Sequence, residues 1–586
     1  MKKKMTALAA LLLALCMLCG CSINPWRIAE KAADILSPSD SGRDNIPDFD
    51  DMEYSRPDVT ELEDKLAELE DAMDRGRGFK TISDIVDDFY ELYCHFETML
   101  IIADIHNCRD LTDSYYAEEY SWCSGISPYV MQLMEELYYA CGTSEIADKL
   151  EEDVFWEGFA EEYSDPEDSI YTDGAVELMG RESDLISRYR ELSADPEISL
   201  PDGRTVSFGK YMEDAADNGW EYYWQGIYLY YSQYNQRYSD IFTELVKVRN
   251  ALAHELDYDS YEQMQYEVNY ERDYSPEDAA AYLEDIKLYM VPFYNELYNS
   301  GLYADYTYMS VKKTMQTFEG ALDSMGSAGE KAREAFGFMK AHRLYDIEPS
   351  PLKANTSFQT YIDDYEAPFL FMDAAGDSSD LLTFSHEFGH YLDAYVNYNA
   401  GETVDVAETF SQAMEYLSLN YYGDSLQSNE IDKLRCIKAL DTVNMYVQQA
   451  SYSEFESTVY AADPEELNAE FFNSLYLRLA EEYGCYSGDN PEFFAMGWMD
   501  IMHIFEAPFY MITYPVSDDA AMQIYALETE KSGAGLEKYM EMLPREYEGF
   551  IETVTEGGLE SPVAPGRVKC VVNELRGMIW PGSIAA

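Results

Sequence analysis

Apolar residues at Val59, Leu62, Leu66, Leu69 and Met73 recur at alternating intervals of three and four. That spacing puts them on one stripe of a helix. The same texture continues to about residue 345, broken only by short Gly, Pro and Asp punctuation. Ser275-Pro276-Glu277-Asp278 predicts a helix start, with Ser at the N-cap and Pro just inside it. One stretch departs from the helical period. Ala367 to Asp373 is short and aromatic, and is bounded by Pro368 and Gly376. It predicts a strand, with an open edge to which an extended peptide would pair. Helical patterning then resumes to about residue 550, and the prolines at 562, 565 and 581 predict a C-terminal loop. There is no doubly wound alternation of strand and helix and no evident repeat. The predicted fold is mainly α, with a small β-sheet late in the chain.

The N-terminus has a different pattern. Lys2, Lys3 and Lys4 precede an apolar run from Met5 to Leu18, too short to span a bilayer comfortably. The run ends in Leu18-Cys19-Gly20-Cys21, which resembles the lipobox of bacterial lipoproteins. The expectation is an exported protein, lipid-anchored through Cys21 to the outer face of the cytoplasmic membrane. Residues 22–56 are rich in Ser, Asp, Pro and Asn and read as a flexible tether.

Composition narrows the function. With 586 residues, more than one packed core is expected. The formal charge of −72, from 40 basic and 112 acidic residues, repels nucleic acid and excludes it as a partner. The charge reads first as a solvated coat; it also attracts cationic substrates. Of ten cysteines, Cys16 and Cys19 leave with the signal and Cys21 takes the lipid. The others are Cys94, Cys108, Cys123, Cys141, Cys436, Cys485 and Cys570, an odd number with no CxxC spacing among them. They read as structural, with disulfides among the first four compatible with export.

The candidate chemistry lies in Ser385-His386-Glu387-Phe388-Gly389-His390. On a helix, His386 and His390 are about 40° apart around the axis, so both imidazoles reach one ion. Glu387 stands about 100° from His386 and about 60° from His390, beside the metal face. That suits a base taking a proton from an activated water. A catalytic zinc needs three protein ligands. Glu408 is the candidate third, and Glu408, Ser411, Gln412 and Glu415 share one helix face. Glu415 is placed to hydrogen-bond a ligating His. His95, His106, His254 and His342 read as structural.

These segments resemble the oligoendopeptidase F and thimet oligopeptidase family of zinc metallopeptidases. His-Glu-Phe-Gly-His at 386–390 and Glu-x-x-Ser-Gln-x-x-Glu at 408–415 match its metal segments. Arg249-Asn250 through Tyr261, and Arg272-Asp273-Tyr274, are similar to the stretch before its catalytic region. His503 to Tyr510, then Tyr514, is similar to its substrate-binding His/Tyr segment. Asp393 stands where many relatives carry another His, the stretch from His390 to Glu408 is shorter, and the oligoendopeptidase F branch is the closer match. The resemblance implies a two-lobed helical body around a deep substrate channel. It implies one Zn2+ on His386, His390 and Glu408, with Glu387 as base. His503 and a tyrosine, Tyr514 ahead of Tyr510, would donate to the oxyanion. The implied activity is hydrolysis of internal bonds in short unfolded peptides. The expected organisation is a signal peptide at 1–20, a tether at 21–56, an N-terminal helical region at 57–245, a catalytic region at 246–560 and a tail at 561–586. Two other readings stay open: a catalytically inactive peptide-binding lipoprotein serving an importer, and an exopeptidase with the same centre. Oligomeric state is not encoded in any pattern found.

Overall fold

The structure, a computed structural model, describes residue 43 and residues 46–580, apart from 157, 167–171, 195, 399–402, 487, 489 and 545–548. It is 71% helical with only small sheets, so the mainly α prediction holds. The signal and lipobox residues, Cys21 included, lie outside the described residues. No described helix is long and apolar enough to cross a membrane.

Two buried clusters organise the chain. Helices α1 (Thr60–Asp74), α2 (Phe79–Arg109) and α3 (Ser114–Gly142) build the smaller one. The predicted stripe on α1 buries Leu62, Leu66 and Leu69 against Phe89 and Phe96 of α2 and Leu133 and Leu137 of α3. Val59 and Met73, at the helix ends, are half-buried against the same cluster. Each fully buried leucine contributes about 1.5–3 kcal/mol. Helix α2 runs on beyond this cluster, and its Met99, Ile102 and Ile105 enter the main core.

The main core takes in most of the rest. Helix α4 (Asp173–Ala194) packs on α5 (Trp220–Glu255), with a hairpin of β1 (Glu197–Ser199) and β2 (Thr205–Ser207) between them in sequence. The helical texture of this region had hidden the hairpin, whose strands have three residues each. The region boundary expected at 245/246 falls inside α5, where Leu245, Val246, Val248 and Leu252 are all buried. A continuous helix buried on both sides of that point leaves no linker there. Helix α6 (Pro276–Asp285) begins as predicted. The Ser275 hydroxyl accepts from the Asp278 N–H, and the Asp278 carboxylate accepts from the Ser275 N–H.

The predicted strand exists but is not an edge. β5 (Ala367–Met372) lies between β3 (Tyr345–Asp346), which runs parallel to it, and β4 (Ser357–Ile362), which runs antiparallel. All six of its residues are buried. A continuous apolar run is the signature of a strand covered on both faces. The outer positions belong to β3 and β4, and β4 is the longer of the two. Ser357-Phe-Gln-Thr-Tyr-Ile362 carries that strand without a Gly or Pro boundary to mark it.

Both chain ends are more ordered than expected. Within the predicted tether, Ile46, Phe49 and Met52 are buried in the main core, and the Phe49 N–H donates to the His342 carbonyl at 3.1 Å. Three apolar residues were masked there by their acidic neighbours. The predicted C-terminal loop contains a helix, Arg567–Ile579, which buries Val568, Val571 and Leu575. Prolines at 562 and 565 precede this helix and do not interrupt it. The cysteines from Cys94 to Cys570 are all free thiols, so the suggested disulfides are absent among the described residues.

Helix α7 (Asp380–Asn397) follows the sheet directly and packs on α8 (Val404–Ser418). A Cβ added at Gly389 on α7 would lie 2.5 Å from the Ser411 Cα and 2.9 Å from the Phe410 carbonyl on α8. Only glycine lets the two backbones meet at this distance. On the other side, α8 packs against a third helix, α11 (Thr513–Glu530). Gly389→Ala forces α7 and α8 apart. It is expected to lower stability by about 1–3 kcal/mol, the usual cost of overpacking, read as a lower urea midpoint at unchanged slope.

Candidate metal centre

Five helices converge on one buried cluster. Helix α7 carries His386, Glu387 and His390; α8 carries Glu408 and Glu415. Further on, helix α9 (Ser428–Ala461) carries Lys438, short helix α10 (Met502–Glu506) carries His503, and α11 carries Tyr514. Tyr510 sits in the turn between α10 and α11.

His386, His390 and Glu408 each present a ligand atom, and the three lie within 4.8 Å of one another. Glu408 Oε2 is 3.5 Å from His386 Nε2 and 3.8 Å from His390 Nε2. A tetrahedral ion with bonds of about 2.0–2.2 Å holds its donors roughly 3.3–3.6 Å apart. The separations therefore fit a small divalent cation, and two imidazoles with one carboxylate are a zinc-type donor set. Glu387 supplies a second sign of fit. It is buried beside this trio, and its Oε2 has no hydrogen-bond partner. A carboxylate oxygen buried without a partner is costly unless something polar meets it.

The ligands are held from behind. Glu415 Oε1 lies 3.0 Å from His386 Nδ1, and its other oxygen pairs with Lys438 Nζ at 2.9 Å. An acceptor at Nδ1 places that ring's proton there and turns the Nε2 lone pair toward the centre. The Tyr510 hydroxyl donates to Glu408 Oε1 at 2.9 Å, and the Ser411 hydroxyl donates to Glu408 Oε2 at 3.1 Å. Gln412 Nε2 donates to the Tyr514 carbonyl at 3.3 Å and so links α8 to α11. All four residues of the predicted α8 face thus serve the site or its frame.

Burial and charge set the protonation states. Burial pulls His386 down, but Glu415 and Glu408 outweigh it and bring the imidazole up to about 9; a cation bound at Nε2 would displace that proton and leave the lone pair to ligate. Burial acts to raise Glu415, yet Lys438 and His386 hold it below its ordinary value. Burial lowers His390 to about 4, and His503 to about 4. Both are therefore neutral imidazoles near pH 7, able to ligate or to donate one N–H. Burial pushes Glu387 up to about 8; a cation beside it would favour the carboxylate.

Two supports escaped the sequence reading. Lys438 is a cation set between the apolar Ile437 and Ala439, both buried, which is the available signal for it. Asp405, near the start of α8, forms a fully buried ion pair with Arg272 at 3.3 Å. Arg272 also donates to the Thr513 hydroxyl, and Tyr274 and Ser517 donate to the Asp405 carboxylate and carbonyl. This knot ties the start of α8 to α11. Arg272 and Tyr274 had drawn notice only through a resemblance, without a role. His503 stands 5.5 Å from Tyr510, and Tyr510 stands 5.3 Å from Tyr514, ring centre to ring centre. Three of the other four histidines are engaged elsewhere, His95 with Asp364, His106 stacked on Tyr116 and His342 with the Ile46 carbonyl, and His254 is exposed near the end of α5.

The chain is similar to known proteins. A family model described as Peptidase family M3 matches residues 329–545, and one for the peptidase M3 N-terminal domain matches residues 49–160. Group B oligopeptidase PepB of Streptococcus agalactiae serotype III (strain NEM316) is 23% identical over 521 residues, covering 78% of this chain and 84% of its own. The chromosomal oligoendopeptidase F of Lactococcus lactis subsp. cremoris is 28% identical over 276 residues, covering 44% of this chain and 43% of its own. The solved structure of PZ peptidase A with an inhibitor superposes with a TM-score of 0.76 at 22% identity, covering 91% of this chain and 99% of that one.

The geometry makes a prediction about ion binding. Glu408→Ala removes one of three donors and is expected to weaken zinc affinity at least tenfold. Chelator competition checks it, and an unchanged affinity would remove Glu408 from the ligand set.

Proposed function

Because this chain belongs to peptidase family M3, we propose that it is a zinc-dependent endopeptidase that hydrolyses internal bonds of short, unfolded peptides. The observation that carries this reading is the buried trio of His386, His390 and Glu408, with the unpartnered Glu387 oxygen beside it. A zinc ion held by the trio would supply Lewis acidity, polarising a scissile carbonyl and acidifying a water.

The chain's own residues do the rest. Glu387 takes the proton of the attacking water and passes it to the departing amine nitrogen. Glu415 holds the His386 ring in its ligating orientation. The oxyanion needs donors in a place shielded from water. His503 qualifies as a buried neutral imidazole, and Tyr514 as the tyrosine next to Tyr510 on α11. Tyr510 donates to Glu408 and would steady that ligand, while Tyr514, the tyrosine the family resemblance puts first, would serve the oxyanion.

A peptide meeting the sheet would pair with β4, the longer of its two outer strands, through its backbone groups. That mode requires an extended chain. A folded protein would first have to open, at a cost of several kcal/mol. The acidic coat would speed the arrival of basic peptides at low salt.

Export and lipid attachment at Cys21 belong to the same proposal. They rest on the Lys2–Lys4, Met5–Leu18 and Cys21 pattern. Cys21→Ser is expected to move the protein from the membrane fraction to the soluble fraction, checked by fractionation and by mass of the mature N-terminus. Retention of the variant in membranes, with no lipid on the wild type, would overturn it.

The hydrolytic roles are separable. Glu387→Gln is expected to keep one zinc per chain while losing nearly all cleavage of an unstructured peptide. Tyr514→Phe is expected to keep zinc and lose roughly 10²–10³ in kcat, the scale of one oxyanion donor. Zinc content by elemental analysis and peptide cleavage by mass spectrometry decide both. Full cleavage by Glu387→Gln would defeat the reading of this site as a hydrolytic centre.

A further inference from the structure

The segment that carries His503 and Tyr510 has little structure of its own. Helix α10 has five residues and no side-chain cap. Just beyond it, Phe509 adopts a left-handed backbone, with φ of 66°. For a bulky residue without a glycine's freedom, that conformation costs about 1–3 kcal/mol and persists only where the surroundings enforce it. Something must therefore hold this arm in place.

The holding groups are buried polar side chains from neighbouring helices. Arg249 on α5 is completely buried. Its Nη1 donates to the Ile504 carbonyl at 3.1 Å, and its Nη2 donates to the Phe505 carbonyl at 2.6 Å. Its Nε pairs with Glu182 of α4 at 2.6 Å, and Nη1 also donates to the Tyr460 hydroxyl at 2.9 Å. The guanidinium fork thus grips the two residues that follow His503. Its positive charge faces the carbonyl end of a short helix, where a cation is favoured. The next link is Glu456 on α9, whose Oε1 accepts from the strained Phe509 N–H at 3.0 Å. Tyr270 donates to the Pro508 carbonyl at 2.9 Å.

A buried arginine is expensive to keep. Its worth here is geometric: two carbonyls fixed by one rigid planar group leave the α10 backbone no freedom to rotate. The His503 side chain projects from that backbone. We propose that Arg249 is a positioning residue for catalysis, which aims His503 at the reacting centre through the Ile504 and Phe505 carbonyls. The inference rests on the reading of His503 as an oxyanion donor.

A double-mutant cycle tests it. Arg249→Met is expected to lower kcat on an unstructured peptide ~10–100-fold, the cost of a displacement of about 1 Å, with zinc content unchanged. Arg249→Lys keeps the charge but cannot span both carbonyls. It is expected to fall between wild type and Arg249→Met, and it carries the same cycle if the Met variant does not fold. In a His503→Ala background, either substitution is expected to cost less than about threefold more. A purely structural arginine would cost the same factor with or without His503, and that additivity overturns the proposal. If His503→Ala by itself keeps full kcat, the role of His503 falls, and this inference falls with it. Additivity on top of a large His503→Ala loss overturns the Arg249 proposal alone.

Discussion

The contact between α7 and α8 at Gly389 is the constraint on which the rest of the site depends. A glycine on one helix lies directly against the backbone of Ser411 on the other. The consequence is set by helix geometry. Ser411 is one turn from Glu408, and Gly389 immediately precedes His390, so the close approach brings the carboxylate to the two imidazoles. A side chain at 389 would widen the gap by a methyl group or more. Ion coordination tolerates displacements of only a few tenths of an ångström. The Phe-Gly inside His-Glu-Phe-Gly-His is thus part of the packing that makes the ligand set, with Phe388 buried against Phe318 and Phe336 on the opposite side.

The chain is acidic throughout, and some of its few cations do their work in the interior. Lys438 backs Glu415, Arg272 backs Asp405, and Arg249 meets Glu182 while also donating to the Ile504 and Phe505 carbonyls and the Tyr460 hydroxyl. Each pair pays a desolvation penalty that hydrophobic residues would avoid. What they provide is direction. Charged forks and bidentate contacts fix angles that apolar packing leaves loose. They occur where an angle matters: behind His386, at the start of the helix that carries Glu408, and under the arm that carries His503.

Helix α2 connects the two cores. Its first half is buried in the small N-terminal cluster, and its second half packs near β4 and the turn that follows it. The sheet in turn lies beneath α7. The N-terminal helices therefore reach the metal segment through one continuous rod and three short strands.

The sequence by itself determined the local features. The apolar period gave α1 its buried face, and the Ser275 and Asp278 pair gave α6 its start. The spacing of His386, Glu387 and His390 put two imidazoles on one helical face. The face of Glu408, Ser411, Gln412 and Glu415 could be read for the same reason. Such features depend on residues within two or three turns, where backbone geometry alone sets the neighbours. Tertiary structure decided everything that joins distant segments. β5 became the central strand because β3 and β4 flank it, which its own six residues could not express. The apolar residues at 46, 49 and 52 and the helix at 567–579 were obscured by acids and prolines, since composition does not say what a segment can dock against. Lys438 met Glu415, Arg272 met Asp405 and Arg249 met the carbonyls after His503 across separations of 23 to 256 residues. No local period records such a pairing, because its partner is chosen by the packing of whole helices.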